Sequence, residues 1–496
     1  MISFLLSIAL LLLGYFVYGR FIDKHFGSTS KRITPAKRLA DGVDYKEMSP
    51  FKIFIIQFLN IAGLGPIFGA ILGAFYGPAS YIWIVIGCIF MGAVHDYFSG
   101  MMSIRQDGKS IPDIIGKYLG KVSKKLMLLL SVFLLLAVGA SFVTGPAGLI
   151  ESLTRIDKSI WLFIIFAYYI LATLLPIDKI IGNIYPYMGG FLLFMALGIA
   201  IAMIVKSAQG DIHMIELNLG NIKNFHFDSE NNILIPMMFI VISCGAISGF
   251  HSTQSPLMAR CMGDEKYGRP VFYGAMITEG IVALIWATAA MAFFNGPEGL
   301  NAAALNGEFG APGEVNAAII VNRICSSWLG KIGAIIAIIG VVVCPLSSGD
   351  TAFRSLRLII SDTFKISQKK IMNRVWVALP IFVIAFLLCT LNFSTIWKFV
   401  GICNQILASM ILWTGAAYLT RIHKNHFYLS IPATFITFIC ICYLLIAPHN
   451  VGGLALDHTL SYTISITMAV INFIAFLIIN RQIPGINQNK KRKTLK

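Results

Sequence analysis

Asn60-Ile-Ala-Gly-Leu-Gly-Pro66 and Ser243-Cys-Gly-Ala-Ile-Ser-Gly-Phe-His-Ser-Thr-Gln-Ser-Pro256 interrupt two apolar segments that are otherwise long enough to cross a bilayer. Glycine loosens a helical backbone, and proline removes a hydrogen-bond donor and clashes with the preceding turn. Irregular backbone at membrane depth persists only where it is buried in protein or lines a wet cavity. These two stretches therefore indicate a protein built around an internal site, because a simple membrane anchor has no reason to contain them.

The composition places the chain in a lipid bilayer. Hydrophobic residues make up 57% of the 496 residues and charged residues only 12%, which leaves too little polar surface for a soluble globule of this size. The formal net charge is +16, but the basic residues lie between apolar segments and in the tail Lys490-Lys-Arg-Lys493, without interleaved aromatic residues. We therefore expect the lipid bilayer as a partner and no nucleic acid.

Several classes of site are disfavoured by missing motifs. The nine cysteines are an odd number, lie mostly in apolar segments and form no Cys-x-x-Cys pair, so they predict small core side chains and no disulfide or zinc site. The sequence also lacks the His-Glu-x-x-His, Gly-x-Ser-x-Gly and Walker phosphate-loop patterns. We therefore expect no enzyme activity, no catalytic residue, no bound metal and no cofactor, and we expect energy to come from an ion gradient.

The apolar segments predict the membrane topology. A bilayer core about 30 Å thick needs roughly 20 apolar residues per helix. With the N-terminus outside and the C-terminus inside, 32 basic residues face the cytoplasm and 7 face the exterior, as the positive-inside rule requires. We therefore expect an all-helical, multi-pass protein of the bacterial cytoplasmic membrane, with thirteen segments near residues 2–19, 51–77, 79–104, 125–150, 159–176, 183–206, 233–260, 269–294, 331–362, 373–391, 395–419, 429–447 and 458–480.

The positions of the two interruptions predict an internal repeat. The second segment enters from inside and the seventh from outside, so two five-helix units run in opposite directions and each begins with a broken helix. This is the LeuT-type inverted repeat, whose ligand site lies where the broken helices meet. The alternative is a chance match, because Gly and Pro are common in membrane helices. The predicted parts are an N-terminal helix with a cytoplasmic connector, the first repeat, an external loop, the second repeat, two additional helices and a basic cytoplasmic tail, at residues 1–50, 51–206, 207–232, 233–419, 420–480 and 481–496.

Four stretches carry a resemblance to a known family. They are Thr34–Tyr45, Ile61–Gly69, Gly92–Asp96 and Cys244–His251, and together with their surroundings they resemble the carbon starvation (CstA) family of bacterial membrane proteins. The resemblance implies a fold similar to that of the amino acid, polyamine and organocation superfamily. It also implies a secondary transporter linked to uptake of peptides or pyruvate during nutrient limitation.

The chain departs from the family pattern at three places. Gln57-Phe58 stands where many members carry a His-His pair, and His95 stands where they carry Gln. Ser252-Thr-Gln-Ser-Pro256 replaces a stretch rich in Ser, Gly and Thr. These differences leave the fold intact and leave the substrate and the coupling ion open.

The residues at the two interruptions are the candidate substrate site. Half-helix N-termini attract a carboxylate, and free backbone carbonyls attract a cation. The imidazole of His251 lies within the second interruption, where it could hydrogen-bond a substrate carboxylate or relay a proton, although a lone histidine is often structural. The predicted substrate-binding residues are Asn60, Gly63, Gly65, Gly245, Ser248, His251 and Gln254.

Ionisable groups inside apolar segments are the candidate coupling site, because each costs roughly 2.5–3.5 kcal/mol at the centre of a membrane helix. Asp96 lies beside His95 and could exchange a proton or form a structural pair. Glu279 has no nearby base in the sequence and could act likewise or accept a hydrogen bond from a broken helix. Both alternatives stay open for each acid.

The ninth segment offers a second candidate for coupling. Its hydroxyl groups are hard oxygen donors suited to sodium, and an aspartate adds negative charge. The spacing of Asp350 and Arg354 at i, i+4 favours a simple ion pair instead. We favour the ion pair between Asp350 and Arg354. We also favour the proton as the coupling ion and keep Na⁺ as the alternative. The coupling candidates are His95, Asp96, Glu279, Ser347, Ser348, Asp350 and Thr351.

Together these features predict an ion-coupled secondary transporter that imports small carboxylate-bearing nutrients, peptides or pyruvate, by alternating access. The alternative of a different class is a membrane nutrient sensor with a transporter-like body that binds substrate without moving it. A membrane-embedded enzyme is a third hypothesis. The sequence does not predict the oligomeric state.

Overall fold

Helices account for nearly all regular structure in the described part of the chain. The computed structural model describes residues 1–42, 44–154, 156–174, 177–390 and 393–481. One isolated parallel bridge joins Met48 to Met262. The body consists of α1 (Ile2–Phe26), α2 (Pro50–Ala62), α3 (Gly65–Ala74), α4 (Ala79–Ile104), α5 (Lys121–Glu151), α6 (Lys158–Leu174), α7 (Tyr185–Gln209), α8 (Ser243–Ala246), α9 (Gly249–Ala259), α10 (Glu265–Phe293), α11 (Gly333–Phe364), α12 (Ile371–Leu388), α13 (Phe399–Arg421), α14 (Phe427–Ile446) and α15 (His458–Ile479).

The number of long helices differs from the predicted thirteen. Within the described ranges, ten helices are long and apolar enough to cross a membrane, and the pair α2 and α3 makes an eleventh if it counts as one span. The fifth predicted segment forms only the 17-residue helix α6. The seventh is divided into short pieces by its non-helical backbone. Of the predicted basic tail, residues 482–496 lie outside the described residues.

The first interruption breaks its helix where the sequence predicts. α2 begins with Pro50 at its first position, which suits proline because no hydrogen-bond donor is needed there. It ends at Gly63, whose φ of +49° favours glycine. A Cβ there would lie 2.6 Å from the Phe142 ring. Beyond this residue α3 continues at an angle of 54° to α2.

The second interruption is shorter than the sequence suggests. Ile247 and Ser248 have extended backbone, and α9 begins directly after them. Pro256 lies inside α9 and does not end it. His251 therefore lies in the first turn of a helix, which corrects its predicted position within unwound backbone, because the extended residues are Ile247 and Ser248 and the helix continues through Pro256.

Glycines bring the two broken helices into direct contact. A Cβ on Gly65 would lie 2.0 Å from the Cβ of Cys244, and one on Gly73 would lie 2.3 Å from the side chain of Ile242. A Cβ on Gly69 would lie 2.9 Å from the carbonyl oxygen of Val241. Because these contacts leave no room for a side chain at Gly65, Gly69 or Gly73, the glycine face of α3 allows the two broken helices to approach closely.

Four helices surround this junction. α9 packs against α2, α4 and α13, and α10 packs against α2, α3 and α8. α11 packs against α5 and α7, and it also contacts α2. The two broken helices therefore lie at the centre of the described body, and α4, α10, α11 and α13 enclose them.

Replacing Gly65 by alanine tests the contact between the breaks. Gly65→Ala would place its methyl group against Cys244, and overpacking of this kind costs roughly 1–3 kcal/mol. We expect a lower melting temperature of the purified protein in detergent. The matched control is Gly190→Ala, because a Cβ at Gly190 meets nothing within 4 Å and alanine favours the helix. Equal melting temperatures for the two variants would contradict the packing at the junction.

Candidate functional site

Four ionisable side chains meet where the second broken helix joins α4 and α10. His95 and Asp96 lie on α4, His251 lies on α9 and Glu279 lies on α10. All four side chains are completely buried. We call these four residues the buried row. The structure thus brings four of the predicted site residues together from three helices that are distant in the sequence.

Asp96 is the centre of the buried row. Its Oδ1 accepts a hydrogen bond from Nδ1 of His95 at 2.8 Å, and its Oδ2 accepts one from Nδ1 of His251 at 3.0 Å. An ionised carboxylate can only accept, so we assign a proton to Nδ1 of both imidazoles. On the other side of the ring, Nε2 of His251 faces Oε2 of Glu279 at 3.4 Å.

The contact between His251 and Glu279 requires a proton. With Nδ1 protonated, Nε2 of a neutral imidazole is an acceptor, and an ionised carboxylate opposite it is also an acceptor. Two buried acceptors repel each other unless one of them carries a proton. Neither atom has a described hydrogen-bond partner, and the repulsion is relieved if His251 is an imidazolium or Glu279 is a carboxylic acid. This contact is therefore a candidate place for a proton to pass between two groups on different helices.

Two hydroxyl groups support the buried row and were not among the predicted site residues. Ser99 donates to the backbone oxygen of Asp96 at 3.0 Å and to the hydroxyl of Ser255 at 2.8 Å. Ser255 donates to the backbone oxygen of His251 at 3.0 Å. The sequence contains a signal for both serines, because each follows its ionisable residue by three or four positions and so lies on the same helix face.

The N-terminus of α9 is occupied by a side chain from α13. The amide of Phe250 donates to Oδ1 of Asn404 at 2.9 Å. Nδ2 of the same asparagine lies 3.7 Å from Sγ of Cys244 on α8. Asn404 therefore connects the chain on both sides of the second break. Sequence reasoning missed it, because nothing local to α13 indicates that partner.

Two amide side chains on α2 are buried without a described partner. Gln57 and Asn60 have no exposed surface, and neither polar atom of either side chain has a hydrogen-bond partner among the described residues. Their i, i+3 spacing places them on one face of the half-helix that ends at the first break. Buried amides without partners cost free energy unless water or a ligand satisfies them. Asn60 was predicted for the substrate site, whereas Gln57 was noted only as a departure from the family pattern.

The other predicted substrate residues have structural contacts. Gly63 and Gly65 form the first break, and Gly245 lies where a Cβ would be 2.5 Å from Cβ of Ala283 on α10. Ser248 is buried, and Sγ of Cys244 approaches its hydroxyl at 3.6 Å.

The side chain of Gln254 is directed toward α11 and away from the break. Its Nε2 donates to the hydroxyl of Thr253 at 2.8 Å, and its Oε1 accepts from the hydroxyl of Ser355 at 3.4 Å. Of the predicted substrate residues, this one therefore belongs to the contact between α9 and α11.

The hydroxyl groups predicted on α11 lie against the first broken helix at one point. Ser348 donates to the carbonyl oxygen of Leu59 at 2.8 Å. Ser347 and Thr351 instead donate to carbonyl oxygens of their own helix. None of the described hydrogen bonds or ion pairs joins these three residues to the buried row.

Asp350 has a different partner from the one that its spacing predicts. Its Oδ2 accepts a hydrogen bond from the hydroxyl of Tyr185 on α7 at 2.7 Å. Nη2 of Arg354 donates to the carbonyl oxygen of Ala172. The ion pairs found in the described ranges do not include one between Asp350 and Arg354, because these contacts from α7 and toward α6 direct the two side chains elsewhere.

Comparison with known sequences identifies relatives along most of the chain. The family model for carbon starvation protein CstA matches residues 1–145, 146–311 and 313–442. A membrane protein of Haemophilus influenzae is 46% identical over 60% of this chain and 93% of its own length. The peptide transporter CstA of Bacillus subtilis is 27% identical over 85% of this chain and 86% of its own length. The pyruvate/proton symporter BtsT of Escherichia coli is 25% identical, over 57% of this chain and 48% of its own length.

Comparison with solved structures identifies the same fold in two transporters. MhsT in complex with L-phenylalanine aligns with a TM-score of 0.53 and 13% identity, over 87% of this chain and 98% of its own. A mutant of the Eremococcus coleocola manganese transporter aligns with a TM-score of 0.52 and 12% identity, over 89% of this chain and 98% of its own. At this identity the likeness concerns the fold alone.

Proposed function

The chain belongs to the carbon starvation protein CstA family of multi-pass bacterial membrane proteins, and from this premise we propose that it is a proton-coupled secondary transporter that imports small carboxylate-bearing nutrients. Transport would proceed by alternating access, with the substrate at the junction of the two broken helices. Relatives named as a peptide transporter and as a pyruvate/proton symporter support this class of activity and this class of substrate.

The contact between His251 and Glu279 is the observation that carries the proposal. A proton at this contact would be shared between α9, which begins at the second break, and α10, which packs against both halves of the first broken helix. A change in the angle between these helices would separate the two groups and leave the proton on one of them. Proton transfer would thereby be linked to the movement that opens the site.

The junction also contains groups suited to the substrate. Gln57 and Asn60 offer two donors and two acceptors without described partners, which match a carboxylate beside a carbonyl or a peptide group. The N-terminus of α9 carries the positive end of a helix dipole. Asn404 occupies one amide at this N-terminus, and a substrate carboxylate could compete with it there.

Proton coupling has one rival in the same site. Ser348 and the carbonyl of Leu59 provide oxygen atoms between α11 and the first broken helix, and hard oxygen donors also suit sodium. We favour the proton, because the oxygens of Ser348 and Leu59 are hydrogen-bonded directly to each other, whereas a proton would relieve the contact between His251 and Glu279 in the buried row.

The orientation and the repeat boundaries belong to the same proposal. We place the N-terminus outside and the C-terminus inside, with inverted five-helix repeats over residues 51–206 and 233–419 and thirteen crossings in all. Support comes from the basic residues, 32 against 7, and from the fold shared with the two transporters. The external loop would then be 207–232, and the helices over 420–480 would be additions to the repeats.

Two alternatives use the same site without moving a solute. A sensor would bind substrate at the junction, and a membrane-embedded enzyme would convert it. Counterflow in proteoliposomes separates these hypotheses from transport, because only a transporter exchanges labelled for unlabelled substrate across the membrane.

Cysteine labelling tests the orientation. In a variant without native cysteines, Ser229→Cys in the predicted external loop should react with a membrane-impermeant maleimide on intact cells. Lys369→Cys should react only after permeabilisation. Both side chains are exposed on the protein surface. A difference in labelling therefore reports the side of the membrane on which each position lies. The reverse labelling at both positions would contradict the inverted arrangement.

Removing either acid of the buried row tests the coupling. Glu279→Gln deletes the group that shares the proton, and Asp96→Asn deletes the carboxylate that orients both imidazoles. We expect at least a tenfold loss of accumulation of labelled pyruvate or dipeptide under an imposed proton gradient, while counterflow persists. Uptake into proteoliposomes, with and without the gradient, measures both quantities.

The control variants distinguish proton coupling from sodium coupling. Glu230→Gln changes an exposed acid and should behave as the wild type. Under sodium coupling, Ser348→Ala would abolish gradient-driven uptake, because it removes the oxygen beside the Leu59 carbonyl, and the two acid variants would not. Normal proton-driven accumulation by Glu279→Gln and Asp96→Asn would therefore refute coupling through the buried row.

A further inference from the structure

Two cavities near the far end of α9 share one lining side chain. A narrow inner cavity lies between α9 and α11 and is lined by Thr253, Leu257, Ser355 and Leu358. An open cleft of about 340 Å³ lies beyond it. Among the residues that line the two cavities, only Arg260 is common to both.

Arg260 is held in place from three sides. Its Nε donates to the carbonyl oxygen of Gly108 at 2.8 Å, and its Nη2 donates to Oδ2 of Asp362 at 3.2 Å. Its guanidinium also lies over the ring of Tyr45, at 5.2 Å from the ring centre. Only 5% of Arg260 is exposed. The side chain is therefore fixed where it borders both the inner cavity and the open cleft.

Helix α9 connects Arg260 to the candidate site. Arg260 follows directly after α9, and His251 lies in the first turn of the same helix, nine positions earlier and about 14 Å away along the axis. Between them, Gln254 and Ser355 form the contact between α9 and α11. A movement of α9 away from α11 would thus open the inner cavity and withdraw Arg260 together.

The open cleft has an excess of positive charge. Its two acids already have basic partners, because Asp362 pairs with Arg260 and Asp113 pairs with Lys124. The described ion pairs include none for Lys109 or Lys365, which also line the cleft. A cleft with this balance attracts a small anion.

From these observations we propose that Arg260 is the gate at the cytoplasmic exit of this transporter, and that a substrate carboxylate in the cleft exchanges with Asp362 for its guanidinium. The proposal rests on the proposed function for the identity of the substrate. The exchange replaces the carboxylate of Asp362 by that of the substrate at the same guanidinium. Arg260 therefore stays paired with a negative charge while its bond to α11, which carries Asp362, is broken. The side chain of Asp362 is 33% exposed and can rotate toward water.

Accessibility of the inner cavity tests the gate without any transport. Leu358→Cys places a thiol in the inner cavity, in a variant without native cysteines and purified in detergent. A charged methanethiosulfonate reagent should label it slowly. Adding Arg260→Gln or Asp362→Asn should raise the labelling rate at least tenfold, whereas the control Lys369→Ala, an exposed lysine outside the cleft lining, should leave the rate unchanged.

Two variants keep the test informative if one fails to fold. Arg260 is buried, so its replacement could lower stability, but Asp362 is half-exposed and its amide has nearly the same shape. If Asp362→Asn has the same melting temperature as the parent and its labelling rate is unchanged, Arg260 is not a gate. This outcome would leave the transport proposal standing, because it involves no gradient and no counterflow.

The carboxylate exchange is tested with pyruvate and methyl pyruvate as probes. Millimolar pyruvate should raise the labelling rate of Leu358→Cys several-fold, and methyl pyruvate should not, because it lacks the anionic group. The effect should disappear in Asp362→Asn, whose gate is already open. An equal effect of both probes, or of neither, would overturn the exchange step. Conversely, if the labelling results are as expected but the protein shows no transport in proteoliposomes, the proposed function is contradicted and the gate is not.

Discussion

A carboxylate that is completely buried must be neutralised by its neighbours, and much of the site follows from this constraint at Asp96. Its two oxygens accept hydrogen bonds from His95 on its own helix and from His251 on α9. Removing one partner of a buried ion pair costs roughly 3–5 kcal/mol. The position of α9 relative to α4 is therefore fixed by chemistry as well as by packing, and α9 in turn brings His251 to Glu279 on α10.

The glycine contacts make this arrangement possible. Because Gly65 and Gly73 have no side chains of their own, α3 packs directly against the side chains of Cys244 and Ile242 at the second broken helix. The first broken helix also carries the buried side chains of Gln57 and Asn60, and α9 and α10 contribute to the buried row. Close backbone contact and buried polar groups are complementary parts of one junction.

The sequence predicts the breaks well, because Gly and Pro act locally on the backbone. The same reasoning misplaced the second break at His251, since Pro256 was interpreted as a breaker although it lies inside α9. Ser99 and Ser255 were predictable from helical spacing. Long-range partners such as Asn404 were not, because the contact depends on the packing of α13. The predicted ion pair between Asp350 and Arg354 is missing from the described ion pairs for the same reason, since the hydroxyl of Tyr185 on α7 donates a hydrogen bond to the carboxylate of Asp350.

Proton movement driven by substrate is the most direct measurement of the role of the buried row. Sodium-free proteoliposomes that contain a pH-sensitive dye should acidify inside when pyruvate or dialanine is added outside, with no gradient imposed. Glu279→Gln proteoliposomes should show no acidification while they still exchange labelled substrate. Acidification at the wild-type rate in Glu279→Gln would contradict a proton shared between His251 and Glu279 as the coupling element.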